Sequence, residues 1–138
     1  MRLTIEVAEH TIDQGRISTP KDMALSFTRE AHERVESFWV LTLNGAHVPI
    51  RKRRITKGLV NKTVAHPREV FRVAILDNAC AIILVHNHPS GLLEPSPEDL
   101  AITKVLVDSG KLLGISVLDH IIIGRSGAAS LVEKGFMS

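Results

Sequence analysis

The sequence predicts an α/β domain, a mixed sheet flanked by helices, and three observations predict it. Residues 81–85 (AIILV) are a continuous apolar run of the kind buried on both faces, and residues 115–124 (ISVLDHIIIG) read as another buried strand. Between them, residues 96–113 place apolar side chains at helical spacing behind a Ser-Pro-Glu-Asp start. Earlier, residues 37–43 (SFWVLTL) are aromatic and β-branched and run into Asn44-Gly45, the strongest short hairpin signal.

Residues 3–7 alternate and are expected to form an edge strand, within an N-terminal extension (residues 1–17) to a domain spanning 18–138. Thr19 is expected to cap a helix with Pro20 in its first turn, running to about Val35 through Met23, Leu25, Phe27 and Ala31. After the strand at 37–43, the return strand is expected to begin at His47 and to continue through Ile55, with a bend or bulge at Gly58. Residues 67–78 (PREVFRVAILDN) read as a helix on the spacing of Val70, Phe71, Ala74 and Ile75. The 87–95 stretch is a loop punctuated by Pro89, Gly91 and Pro95. The following helix buries Leu100, Ile102, Val105, Leu106 and Leu112, unless Gly110 ends it early, and residues 131–135 form a terminal turn. The expected order is β-α-β-β-α-β-α-β.

A chain of 138 residues is one domain's worth, and 44% apolar with 23% charged residues is a globular balance. The single cysteine, Cys80, excludes an intrachain disulfide and is expected as a buried small hydrophobe at the head of the 79–85 run. No apolar stretch approaches the roughly 20 residues of a membrane span, and residues 1–9 lack a signal-peptide pattern, so no membrane partner and a cytoplasmic location are expected. A net charge of +2 is too small to argue for nucleic acid by itself.

The residues that carry chemistry lie where the buried strand ends. Alternate residues of an extended segment point the same way, so His86 and His88 can aim two imidazoles at one point. Asp99, in the first turn of the next helix, can be folded back over them by the intervening loop. Two His and one Asp are three protein ligands, the number a catalytic zinc site uses while leaving a fourth position to water. A metal there lowers the pKa of that water towards ~7. The simpler alternatives are a hydrogen-bonded strand-end histidine and a helix start in which Ser96 caps and Asp99 favours the dipole. Capping by Asp99 does not exclude ligation.

The pattern His86-x-His88-x7-Ser96-x2-Asp99 resembles the JAMM (MPN-plus) metalloprotease motif. The longer string HNHPSG at residues 86–91, with HPRE at 66–69 and LDHIIIG at 118–124, resembles the RadC family, and the match runs from about Ser18 to Gly135. That resemblance implies a JAMM-type, cytidine-deaminase-like fold, one zinc ion held by His86, His88 and Asp99, and Glu36 as the general base and acid. Glu36 is identified by its context, Glu36-Ser37-Phe38-Trp39-Val40-Leu41. Ser96 would orient the substrate carbonyl or stabilise an oxyanion. The implied substrate is a peptide or isopeptide.

A deaminase is excluded because H-x-E is missing and one cysteine cannot supply P-C-x-x-C. The letters HNH are not those of an HNH nuclease, whose three residues are dispersed through a metal module. Two departures from the RadC pattern stand out. The helix-hairpin-helix region of full-length members is not in this sequence, so its DNA affinity is not implied. The tyrosine often found before the terminal Ser-Leu is also missing, since the chain has no Tyr.

Arg51-Lys52-Arg53-Arg54, with Lys57, is a basic run that phosphates could pair with, although a solvated hairpin face is the simpler reading. His66 either shapes the cleft or packs at a helix start. Asp119-His120 is either a pair behind the metal site or, more simply, a structural pair in a strand. His10, His32 and His47 are expected on the surface. Two functions follow. The first is a zinc-dependent hydrolase of amide bonds. The second is a DNA-metabolism-linked binding module in which zinc is a structural staple or relic, motivated by the basic run.

Overall fold

In a computed structural model of the chain, the described residues are 5–7, 10–12, 20–58 and 65–138. A five-stranded mixed sheet runs in the order β4-β3-β5-β6-β7. Its strands are β3 (Ser37–Leu43), β4 (Pro49–Lys57), β5 (Ala81–Asn87), β6 (Ser116–Gly124) and β7 (Gly127–Ser130). Only β5 and β6 are parallel, and α3 (Pro97–Leu113) crosses between them. This is the mixed sheet flanked by helices that the apolar runs predict.

The two faces of the sheet are covered by different helices. On one, Val40, Ile82 and Leu84 pack with Val70 and Phe71 of α2 (Pro67–Leu76) and with Ile102 and Leu106 of α3. On the other, Trp39, Leu41, Ile83, Val85 and Ile121 pack against Met23 and Phe27. Both come from the short helix α1 (Pro20–Ser26) and the turn after it. Every residue of β5 is buried, as a two-sided strand requires. Residues 3–7 contribute β1 (Ile5–Val7), which is not an edge of the main sheet. It pairs with β2 (His10–Ile12), a strand the sequence pattern does not signal, in a separate hairpin. Thr19 lies outside the described residues.

Three elements differ from expectation for identifiable reasons. The first helix stops at Ser26 instead of reaching Val35. The hydroxyls of Ser26 and Thr28 bond back to the carbonyls of Asp22, Ala24 and Leu25, competing with the helical ladder. Beyond them a 3-10 turn, Glu30–His32, buries Glu30 against Lys52 at 2.8 Å. The hairpin after β3 is wider than an Asn-Gly two-residue turn. The Asn44 side chain accepts from the N–H groups of Ala46 and Val48, and the return strand starts at Pro49 rather than His47. Cys80 is exposed, not buried. It sits in the bend before β5, where its N–H donates to the Leu43 carbonyl, so the apolar run enters the sheet one residue later.

The strand β7 has no sequence signal, because Gly-Ala-Ala-Ser carries weak β propensity. It is held by pairing with Ile121–Gly124 and by Asp119, whose carboxylate accepts from Ser130 Oγ and from the Val132 N–H. Gly58 does mark a bend, at φ 62°, and its N–H donates to the Glu36 carbonyl at 2.8 Å. Gly110 does not end α3, which continues to Leu113. A Cβ there would lie 2.3 Å from the Ile115 carbonyl oxygen, so glycine is demanded by the close return of the chain into β6. Among the described residues no helix is long and apolar enough to cross a membrane.

Gly110→Ala is therefore expected to destabilise the fold by about 1–3 kcal/mol, by overpacking against backbone that cannot yield. Urea denaturation of the two proteins measures it; equal midpoints would show that the chain after α3 is free to move.

Candidate metal centre

The site forms at the carboxyl end of β5, where strand register and helix start meet. Because β3 runs antiparallel to β5 with Phe38 opposite His86 as the last pair, Glu36 and His88 both lie just beyond the same end of the ladder. Alternation puts His86 and His88 on the face covered by α2 and α3 and turns Asn87 to the other face. The loop after β5 leads into α3, whose capping box is complete. Ser96 Oγ accepts from the Asp99 N–H at 3.1 Å, and Asp99 Oδ2 accepts from the Ser96 N–H at 2.8 Å. The cap fixes the Asp99 carboxylate beside the strand end, so capping and placement at the site are one event.

All five residues singled out from the sequence are thereby brought to one cleft. His86 Nε2 and His88 Nε2 are 2.8 Å apart, and Asp99 Oδ2 lies 3.3 Å from the first and 3.2 Å from the second. Glu36 Oε1 is 3.9 Å from His88 Nε2, on a side chain that is 47% exposed. Ser96 lines the same cleft, of about 420 Å³, with Glu36 and with the apolar Phe38, Leu92 and Ile102. Its hydroxyl accepts within the cap and keeps its proton to donate.

The hydrogen-bond network assigns the tautomer of each ring. A carbonyl only accepts, so His88 Nδ1 donates to Leu92 O at 2.8 Å, which leaves its Nε2 as a lone pair when the ring is neutral. Behind His86 runs a longer chain. Thr103 Oγ1 donates to the Asp99 carbonyl at 2.6 Å, so at 2.5 Å it accepts from His120 Nδ1. His120 Nε2 then accepts from His86 Nδ1 at 2.7 Å, and His86 Nε2 is also a lone pair. Three acceptors, two imidazole lone pairs and a carboxylate oxygen, thus converge with no hydrogen between them. Such an arrangement attracts a cation, and two imidazoles with one carboxylate are a donor set that suits zinc. The residues fit a metal ion.

The electrostatics agree. Burial alone would raise the Asp99 carboxyl, but the neighbouring His86 and His88 rings and the hydrogen bond from the Ser96 N–H hold it well below the usual carboxylate range. Burial would lower His88, yet its contacts with Asp99 and Leu92 O, and the charges of Asp99 and Glu36, raise it above the usual histidine value. His120 is pushed well below its usual value, first by complete burial and then by His86, so it stays neutral and can accept.

His120 is thus a partner behind His86, while Asp119 is not its side-chain pair and serves the C-terminal turn instead. Thr103 completes the chain and carries no sequence signal beyond lying one helical turn after Asp99. His66 is an exposed N-cap of α2, with its Nδ1 accepting from the Arg68 N–H. The basic run is divided by the alternation of β4. Lys52 is buried, Arg51 and Arg53 face Asp77, and one guanidinium nitrogen of Arg54 donates to both carboxylate oxygens of Glu33.

Comparison with known proteins gives the family. Residues 17–136 match the family model described as RadC-like JAB domain. The chain belongs to that family. The RadC-like domain is 43% identical over 123 residues to a "UPF0758 protein" of Methanosarcina acetivorans, covering 88% of this chain and 54% of that protein. It is 53% identical over 102 residues to a "UPF0758 protein" of Methanospirillum hungatei, covering 74% and 45%. A third "UPF0758 protein", of Alkaliphilus metalliredigens, is 49% identical over 127 residues, covering 91% and 55%. The chain spans about half the length of these curated relatives.

Two outcomes are expected for the RadC-like domain. Thr103→Val removes the hydroxyl that orients His120 and is expected to weaken zinc binding roughly 10- to 100-fold. Competition with a chromophoric chelator measures it, and wild-type affinity would mean that His86 needs no such support. Zinc binding should also weaken as pH falls, by about tenfold per unit for one displaced proton. The onset should lie above pH 6.5, because the pKa of His88 is raised. A flat profile between pH 6 and 8 would show that His88 is not a ligand.

Proposed function

We propose that this RadC-like domain is a zinc-dependent hydrolase acting on an amide bond of a peptide or isopeptide, with one ion held by His86, His88 and Asp99. The observation that carries the reading is the convergence of three acceptor atoms within 3.3 Å of one another beside an exposed glutamate and an open cleft. JAB domains are often metallohydrolases, which supports the same reading. When bound, zinc supplies a Lewis acid that polarises a carbonyl and makes water nucleophilic near neutral pH.

The chain's own residues then have distinct tasks. Glu36 Oε1, at the mouth of the site, accepts a proton from the attacking water and delivers it to the leaving amine. Ser96, its oxygen already engaged by the Asp99 N–H, donates its hydroxyl proton towards the substrate oxygen. Phe38, Leu92 and Ile102 give the cleft apolar walls that exclude water around an extended segment. Asp99 stays ionised throughout, held so by its histidine and backbone contacts.

The test uses purified protein loaded with one equivalent of zinc and pools of quenched peptides, both α-linked and Lys-branched. Cleavage is expected, with Glu36→Gln lowering it at least about 100-fold while elemental analysis still finds one zinc per chain. Loss of zinc on His88→Ala should abolish it. Equal cleavage by wild type and Glu36→Gln would end the assignment of Glu36, and a zinc-free wild type would end the hydrolase reading.

A further inference from the structure

Asn87 sits between the two histidines, is completely buried, and belongs to neither the donor set nor the cleft. A buried carboxamide needs hydrogen-bond partners for both its oxygen and its nitrogen, and this one has them. Its Oδ1 accepts from the Ser37 N–H at 2.7 Å, and its Nδ2 donates to Val35 O at 2.8 Å. A longer contact of 3.5 Å reaches Glu33 O. Those two short bonds grip the backbone on either side of Glu36. A third bond, from the Gly58 N–H, holds the carbonyl of Glu36 itself.

The strand geometry gives this grip a specific consequence. Glu36 precedes the first residue of β3 and has no strand partner of its own within the β3–β5 ladder, which begins at Phe38 opposite His86. Its carboxylate reaches the cleft from a half-exposed side chain, so the precision of Oε1 depends on the backbone beneath it. Asn87 comes from the same strand as His86 and His88, on the opposite face. One three-residue segment therefore carries two of the converging nitrogens on one side and fixes the backbone of the glutamate on the other.

We propose that Asn87 is a positioning residue for Glu36, tying the carboxylate to the strand that bears the histidines. The proposal rests on the role given to Glu36 above. It requires that Asn87 act on Glu36 and not on metal retention or general stability.

The experiment compares zinc-loaded wild type, Asn87→Ala and Asn87→Ser, the last keeping a short polar side chain in case alanine prevents folding. Amide exchange by NMR is read at Ser37 and, as a control, at Ile121 and Ile122 in β6. The expected result is at least tenfold faster exchange at Ser37, unchanged exchange in β6, and one zinc per chain. With the most rapidly cleaved quenched peptide, kcat should fall roughly 10- to 100-fold with KM unchanged. In a Glu36→Gln background the Asn87 substitution should cause no further loss. Unchanged exchange at Ser37, losses that multiply across the two substitutions, or failure of both variants to fold would each overturn the proposal. Full activity in Glu36→Gln alone would instead remove the assignment of Glu36, an outcome distinguished because exchange at Ser37 is read without substrate.

Discussion

The register between β3 and β5 is the constraint on which the site depends. It pairs Phe38 with His86 and holds over the whole of β5 from Ala81. A slip by one residue would turn every β5 side chain to the opposite face. Asn87 would then face α3, and the histidines would enter the apolar layer beneath Trp39. The register is secured by burial on both faces, since Ile82 and Leu84 fit one apolar layer and Ile83 and Val85 the other. Core packing thus sets the positions of the polar atoms at the strand end. The complete capping box of α3 then brings Asp99 to meet them.

This division of labour explains what was legible in the sequence. A strand buried on both faces announces itself by uninterrupted Ile, Leu and Val, as in residues 82–85 of β5, and the Ile121–Ile123 run marks the buried half of β6 in the same way. The H-x-H spacing at the end of the first, and the Ser-x-x-Asp helix start after it, were equally readable, because alternation and capping are local rules. The joining of Glu36 to His88 is different. It depends on the pairing of β3 with β5, a strand far away in sequence, and only the resemblance to a known family pointed to that glutamate.

What remained hidden was controlled by tertiary context. The weak strand β7 exists because Asp119 holds Ser130 and the turn beyond it. The first helix ends early because its serine and threonine hydroxyls take carbonyls from the ladder and because Glu30 must reach Lys52. Cys80 looked buried because its neighbours are apolar, yet one residue of offset leaves it in a bend. Thr103 and His120 reveal their chain of hydrogen bonds only when α3 is laid across β6.

The buried Lys52 has a bearing on solubility. Among the described residues β4 is an outer strand of the five-stranded sheet, with β1 packed beside it, and an edge strand that comes loose is a template on which another chain can add. Lys52 points inward from that strand, with its ammonium over the Phe27 ring and against Glu30 and the Ser26 carbonyl. Those partners belong to the folded chain. A foreign strand that displaced β4 or forced it out of register would strand a charge in an apolar layer, at a cost of several kcal/mol. The lysine that looks in sequence like part of a cationic patch is thereby an internal contact that holds β4 in its register.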